Sequence, residues 1–249
     1  MIAANRGFTL VELMVAMLMG LMVVAGVTQI FLLNQESHRV QKSQSELQER
    51  ARFAAFQVSQ VIARAGFRAD PFEEEVETLS GSAIAGTDGS PDSISIRFES
   101  NGGDVDCAGT RLNEGDESLN TISLSANANA DGRRDLECTA QRWDADGDLI
   151  ATIGPVGLIR GVEALEIEYG LDLDDDGSVD RYQAAGAADL DKALSVRWGL
   201  LLSSDTEMRP KGGAEKVTLL GQTEEYGGES DLRGRWVIEK TVALRNRLE

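Results

Sequence analysis

The sequence predicts an α+β protein in which one long N-terminal helix, transmembrane over its first half, packs its second half on an antiparallel β-sheet head. Residues 8–33 are uncharged except for Glu12, and residues 34–66 turn polar while keeping apolar positions at helical spacing. Beyond Pro71, short alternating runs are separated by Gly, Asp and Asn. Strands gathered after a helix, rather than alternating with helices, favour one antiparallel sheet over parallel βαβ units.

The apolar span from Phe8 to Leu33 holds about 26 residues, which as a helix cover about 39 Å, more than a hydrocarbon layer of roughly 30 Å. Glu12 lies inside it, where an ionised carboxylate costs about 2.5–3.5 kcal/mol unless a partner neutralises it. No Lys or Arg lies between Phe8 and Leu33. Cleavage after Gly7 would supply the missing cation, because it leaves an α-ammonium on Phe8, one turn from Glu12.

The helix is expected to continue to Gly66, since no Pro or Gly interrupts the chain from Leu33 to that residue. Val40, Leu47, Ala51, Ala54, Val58, Ile62 and Ala65 form one apolar stripe, and Glu46 with Arg50 and Glu49 with Arg52 stand at pairing distance on the polar face. The whole helix would run for about 58 residues, or about 87 Å. The stripe is read as core packing against the head.

Strands are predicted at Ile94–Phe98, Thr121–Leu124, Leu149–Ile153, Leu165–Tyr169, Val196–Leu200 and Trp236–Leu244. Ala185–Leu194 is expected to add a short helix, and Asn101–Gly115 and Asn127–Arg134 to be loops.

A formal charge of −18 over 249 residues, carried almost wholly beyond residue 66, argues against nucleic-acid binding. It suits a solvated acidic face or divalent cations. Cys107 and Cys138 are the only thiols and are expected to form a disulfide, worth about 3–4 kcal/mol by loop closure. The single histidine, His38, sits on the long helix, away from both cysteines in sequence, which disfavours a Cys/His nucleophile or a His-based metal site.

Five aspartates crowd into nine residues between Asp172 and Asp180. Asp172, Asp174 and Asp176 at loop positions one, three and five, Gly177 at six and Asp180 at nine match much of a Ca²⁺ loop. Gln183 stands where an EF-hand carries its bidentate Glu, so the loop reads equally as a plain charged turn. No cofactor is required by anything else in the chain. Asp144–Asp148 is a shorter version of the pattern and is expected to be a hairpin turn. No nucleophile or base recurs near the aspartates, so an enzyme is not expected.

The segment Gly7-Phe8-Thr9-Leu10-Val11-Glu12-Leu13-Met14-Val15-Ala16 resembles the processing and N-methylation site of type IV pilins and type II secretion pseudopilins. Gly161-Val162-Glu163-Ala164-Leu165-Glu166-Ile167-Glu168-Tyr169-Gly170, the aspartate loop with Arg181-Tyr182, and Thr241-Val242-Ala243-Leu244-Arg245-Asn246-Arg247-Leu248 narrow the resemblance to PilW-type minor pilins of type IV pili. It covers both ends and the middle, while residues 71–150 contribute little.

This resemblance implies residues 1–7 as a leader cut after Gly7 by a prepilin peptidase that methylates Phe8, residues 8–33 as a transmembrane half, 34–66 as an amphipathic half and 67–249 as a periplasmic head. It implies a single-pass inner-membrane protein, N-terminus cytoplasmic, that joins other minor pilins, the major pilin and the pilus assembly machinery. The role it implies is in an assembly-priming complex at the pilus tip, supporting twitching motility, with Glu12 setting register between subunits. Two alternatives stand beside it: a J-type minor pseudopilin of type II secretion, which shares the N-terminal motif, and a calcium-dependent tip adhesin.

Overall fold

A computed structural model describes residues 9–69, 82–129 and 132–247. Gly7, Phe8, Pro71 and Leu248 lie outside the described residues. The chain divides into two compact units, Met1–Ser45 and Glu46–Glu249. A single helix, α1 (Leu10–Ala63), passes from one into the other.

In the first unit α1 is apolar and exposed, with Leu10, Val11, Met17, Leu21, Met22 and Val23 among its uncovered side chains. It contains, among the described residues, the one stretch long and apolar enough to cross a membrane. In the second unit the expected stripe is buried: Leu47, Ala51, Ala54, Val58, Ile62 and Ala65 join the main core. The helix stops three residues earlier than the glycine signal suggested. Arg64 and Ala65 close back on Val61 and Ile62 in tight turns, and Gly66 then takes a left-handed conformation at φ 73°. Asn246 Nδ2 donates to the Ala63 and Ala65 carbonyls, covering part of the helix end.

Among the described residues ten strands follow: β1 (Ile84–Thr87), β2 (Ser93–Asn101), β3 (Glu114–Leu124), β4 (Arg134–Trp143), β5 (Leu149–Leu171), β6 (Arg181–Ala184), β7 (Ala193–Glu207), β8 (Glu215–Leu219), β9 (Gln222–Tyr226) and β10 (Arg233–Ala243). Eight form one curled antiparallel sheet in the order β1-β2-β3-β4-β5-β7-β10, with β6 also on β5, and β8 and β9 make a separate hairpin. Trp198, Tyr169, Phe98 and Leu165 are among its largest fully buried side chains.

Every expected strand is present, but the expected strands at 149–153 and 165–169 are parts of one 23-residue strand, β5. β5 pairs with β4 up to Val162 and with β7 from Val162 onward, so it carries the chain from one half of the sheet to the other. The expected helix at 185–194 is absent: Ala187 and Ala188 turn back on Ala184, and only Leu190–Lys192 makes one 3₁₀ turn. Its residues are instead tied to strand ends, Lys192 O accepting the Asp172 N–H. Asp144–Asp148 forms the expected tight turn between β4 and β5, with Gly147 at φ 84°.

The β8–β9 hairpin lies on the face of β5 and β7 away from the helix, burying Val217 and Leu219 against Ala164 and Leu201. Gly199 permits this approach, since a Cβ there would lie 2.7 Å from Leu219 Cδ1. Cys107 and Cys138 are joined by a disulfide that ties the β2–β3 loop to β4.

Candidate functional site

At the described N-terminus, Thr9 Oγ1 accepts the Glu12 N–H at 3.3 Å while Glu12 Oε2 accepts the Thr9 N–H at 3.4 Å. This reciprocal arrangement satisfies donors that a helix start leaves unpaired. The sequence signal for it is Thr-x-x-Glu at the start of an apolar run, a pattern separate from the charge of Glu12. Glu12 thus caps its own helix and presents a carboxylate at its first turn. The negative charge also opposes the positive end of the helix dipole.

The aspartate loop leaves β5 at Leu171 and returns as β6 at Arg181. Asp172 is buried, and its two carboxylate oxygens accept the Asp176 and Gly177 N–H groups at 3.2 and 2.8 Å. Burial pushes its carboxyl up, but those bonds, a further one from Asp175 and the charge of Lys192 leave it below the usual carboxylate range. Asp174 moves the other way, raised by the charges of Asp176 and Asp180.

Carboxylate oxygens of Asp172, Asp174 and Asp176 lie within 4.8 Å of one another. Asp180 stands outside that group: its Oδ2 accepts the Leu173 N–H at 2.7 Å, fastening the two ends of the loop. Lys192 Nζ reaches Asp175 at 3.0 Å and the Leu173 carbonyl at 3.1 Å, so one cation already offsets part of the charge. Three convergent oxygens on a short turn fit a hard divalent cation, which would relieve the repulsion at Asp174.

A network that sequence reading missed reaches from β10 across β7 to β5. Arg235 Nε donates to Glu163 at 2.8 Å, Arg235 also pairs with Asp231, and Arg233 Nε donates to Asp231 at 2.9 Å. The Arg235, Glu163 and Asp231 side chains are nearly inaccessible. Glu163, 72 residues from Arg235, is too distant in sequence for any spacing rule to match.

Residues 2–28 match the prokaryotic N-terminal methylation motif, and residues 125–246 match the type IV pilus-assembly protein W model. The chain belongs to the type IV pilus-assembly protein W family. A type IV-like pilin from Thermus thermophilus shares its fold, with TM-score 0.53 and 17% identity over 82% of this chain and 100% of that one. No curated protein matches the sequence. The region matched by the W-family model holds β5, the aspartate loop and the Arg235 network, whereas the Thr9–Glu12 cap falls in the methylation motif. The family match and the fold match are both to pilus proteins rather than to a known enzyme family.

Proposed function

We propose that this minor pilin joins other minor pilins in an inner-membrane complex that primes pilus assembly, remains at the pilus tip and supports twitching motility. The observation that carries the reading is the union in one chain of the methylation motif over residues 2–28 and the W-family region over residues 125–246. The exposed apolar half of α1 supports it physically. Such a helix leaves lipid only when a bundle of similar helices covers it.

In this reading prepilin peptidase cuts after Gly7 and methylates Phe8, residues 8–33 anchor the protein, residues 34–66 carry the helix onward, and residues 67–249 form the periplasmic head. The new amine of Phe8 on a neighbouring subunit pairs with Glu12, which sets helix register as the fibre grows. Partners are the other minor pilins, the major pilin and the assembly machinery.

Deletion separates this role from type II secretion: loss of twitching and surface pili with normal exoprotein export supports it, and the reverse phenotype removes it. Mass spectrometry of the membrane-extracted protein should find a methylated Phe8 terminus, and an intact Met1 would contradict the processing step. A second reading, Ca²⁺ capture by the head, is favoured by the convergence of Asp172, Asp174 and Asp176 and would suit a tip adhesin.

A further inference from the structure

β5 has two different edges. One pairs with β4 from Leu149 to Val162, while β7 covers the other only from Val162 onward. No described residue pairs with the second edge of β5 between Leu149 and Ile159. A strand edge of that kind presents unpaired N–H and C=O groups. Leu149, Ile150 and Val156 along it are exposed at 54%, 47% and 37%. Gly154 and Pro155 interrupt the ladder with β4, so the open edge consists of two short runs rather than one long flat strand.

Where β7 departs, a cleft of about 630 Å³ opens between the second-unit part of α1 and β5. Phe53, exposed at 50%, and residues 157–160 line it together with Glu46, Glu49, Asp135, Asp205 and Arg50. Asp205 is held back by Arg133 at 2.6 Å and Arg50 at 3.4 Å, and Arg50 Nη1 also donates to the Arg160 carbonyl at 3.3 Å. The inner end of the cleft is therefore fixed. Asp135 Oδ1, by contrast, is shielded from water and has no hydrogen-bond partner among the described residues, a state that costs about 1–3 kcal/mol for a buried polar atom.

We propose that this cleft receives an extended basic segment of a partner protein, which adds to the free edge of β5 as an extra strand. The open edge requires a peptide backbone, not a helix or a small anion. With Arg133 on Asp205 counted, four carboxylates stand against three guanidiniums, and the net negative charge favours Lys or Arg on the incoming segment. A turn of the Asp135 carboxylate toward the cleft lets it take a donor from that residue, and Phe53 covers an apolar neighbour. The volume lies within the range of ordinary binding clefts. This docking mode goes beyond assembly through α1 and holds whatever the subunit's place in the fibre.

The test uses the full chain in detergent micelles and a labelled octapeptide of alternating Lys and Val, with empty micelles as the blank. Fluorescence anisotropy should detect binding that falls about tenfold in Asp135→Asn and in Glu49→Gln, the second an exposed helix position that leaves folding intact. Methylating alternate peptide nitrogens should abolish binding, and bound peptide should slow amide exchange between Leu149 and Ile159. The proposal is overturned if the peptide does not bind, if a Glu and Val peptide binds equally, or if the methylated backbone binds unchanged. A concentration-dependent dimer lost in Asp135→Asn would assign the cleft to a second copy and also overturn it.

Discussion

Arg235 on β10 and Glu163 on β5 form a hydrogen-bonded ion pair at 2.8 Å, although 72 residues separate them. Among the described residues β10 pairs with β7 alone, so this contact reaches past the adjacent strand to fasten the sheet edge to β5. Asp231 and Arg233 complete the network, leaving neither guanidinium dependent on a single carboxylate.

Glu163→Ala should therefore be far more damaging than a surface change. It leaves Arg235 buried with Asp231 as its remaining close partner, a loss of about 1–3 kcal/mol. Thermal unfolding of the full chain in detergent checks this, and Glu163→Gln, which keeps a hydrogen-bond acceptor, should lose less. Equal stability of Glu163→Ala and the wild type would contradict the role of the pair.

Glu166 gives the head an inverse response to pH. Burial first, then the charges of Asp92, Glu224, Asp88 and Glu168, push its carboxyl up to about 7. A carboxyl raised on folding favours the folded state fully below its unfolded value near 4.5, and that contribution is lost as pH rises toward about 7. Glu166→Gln should be more stable than the wild type at pH 8 and nearly equal to it at pH 4. Chemical unfolding at the two pH values measures the difference, and parallel curves would contradict it.

At the N-terminus, the Thr9–Glu12 cap and a charge-based registration role predict different rescue patterns. Gln at position 12 can still accept the Thr9 N–H but carries no charge. Glu12→Ala and Glu12→Gln should both insert into the membrane and both impair piliation, because registration requires the carboxylate. Normal piliation in Glu12→Gln with a defect in Glu12→Ala would mean that the cap, not the charge, is what assembly needs.

Gly199 should tolerate no side chain. Alanine there would press on Leu219, lifting the β8–β9 hairpin at about 1–3 kcal/mol. Amide exchange at Val217 and Leu219 should accelerate more than exchange at Val58 and Ile62.

For the aspartate loop, calorimetric titration of the full chain with Ca²⁺ at millimolar concentration should give a binding heat that Asp174→Asn reduces. Asp180→Asn should instead loosen the loop through Leu173 and affect the heat less. No heat in the wild type would leave the loop a charged turn fastened by Lys192.

Local patterns were legible where one physical rule acted over a few residues. The apolar stripe from Leu47 to Ala65 follows helical spacing, and the sheet runs from Ile94 to Leu244 follow alternation. The misreading of 185–194 as a helix has the opposite cause. Its alanines favour helix locally, but pairing of β6 with β5 and the backbone bond from Asp172 to Lys192 bind both flanks and leave room for one turn. β4 escaped notice because Arg134–Trp143 mixes charged and apolar residues, and its burial depends on neighbours on both edges.

By itself the sequence determined the exposed apolar helix with its single acid, the sheet-rich head and the candidate cation ligands, because each depends on residue type and short spacing. Tertiary structure alone decided which carboxylates meet which guanidiniums, that Asp180 fastens the loop instead of joining its three neighbours, and that β5 keeps half an edge open. Those facts depend on strand order and on where β7 bends away from β5, and such long-range geometry leaves no mark on local residue patterns.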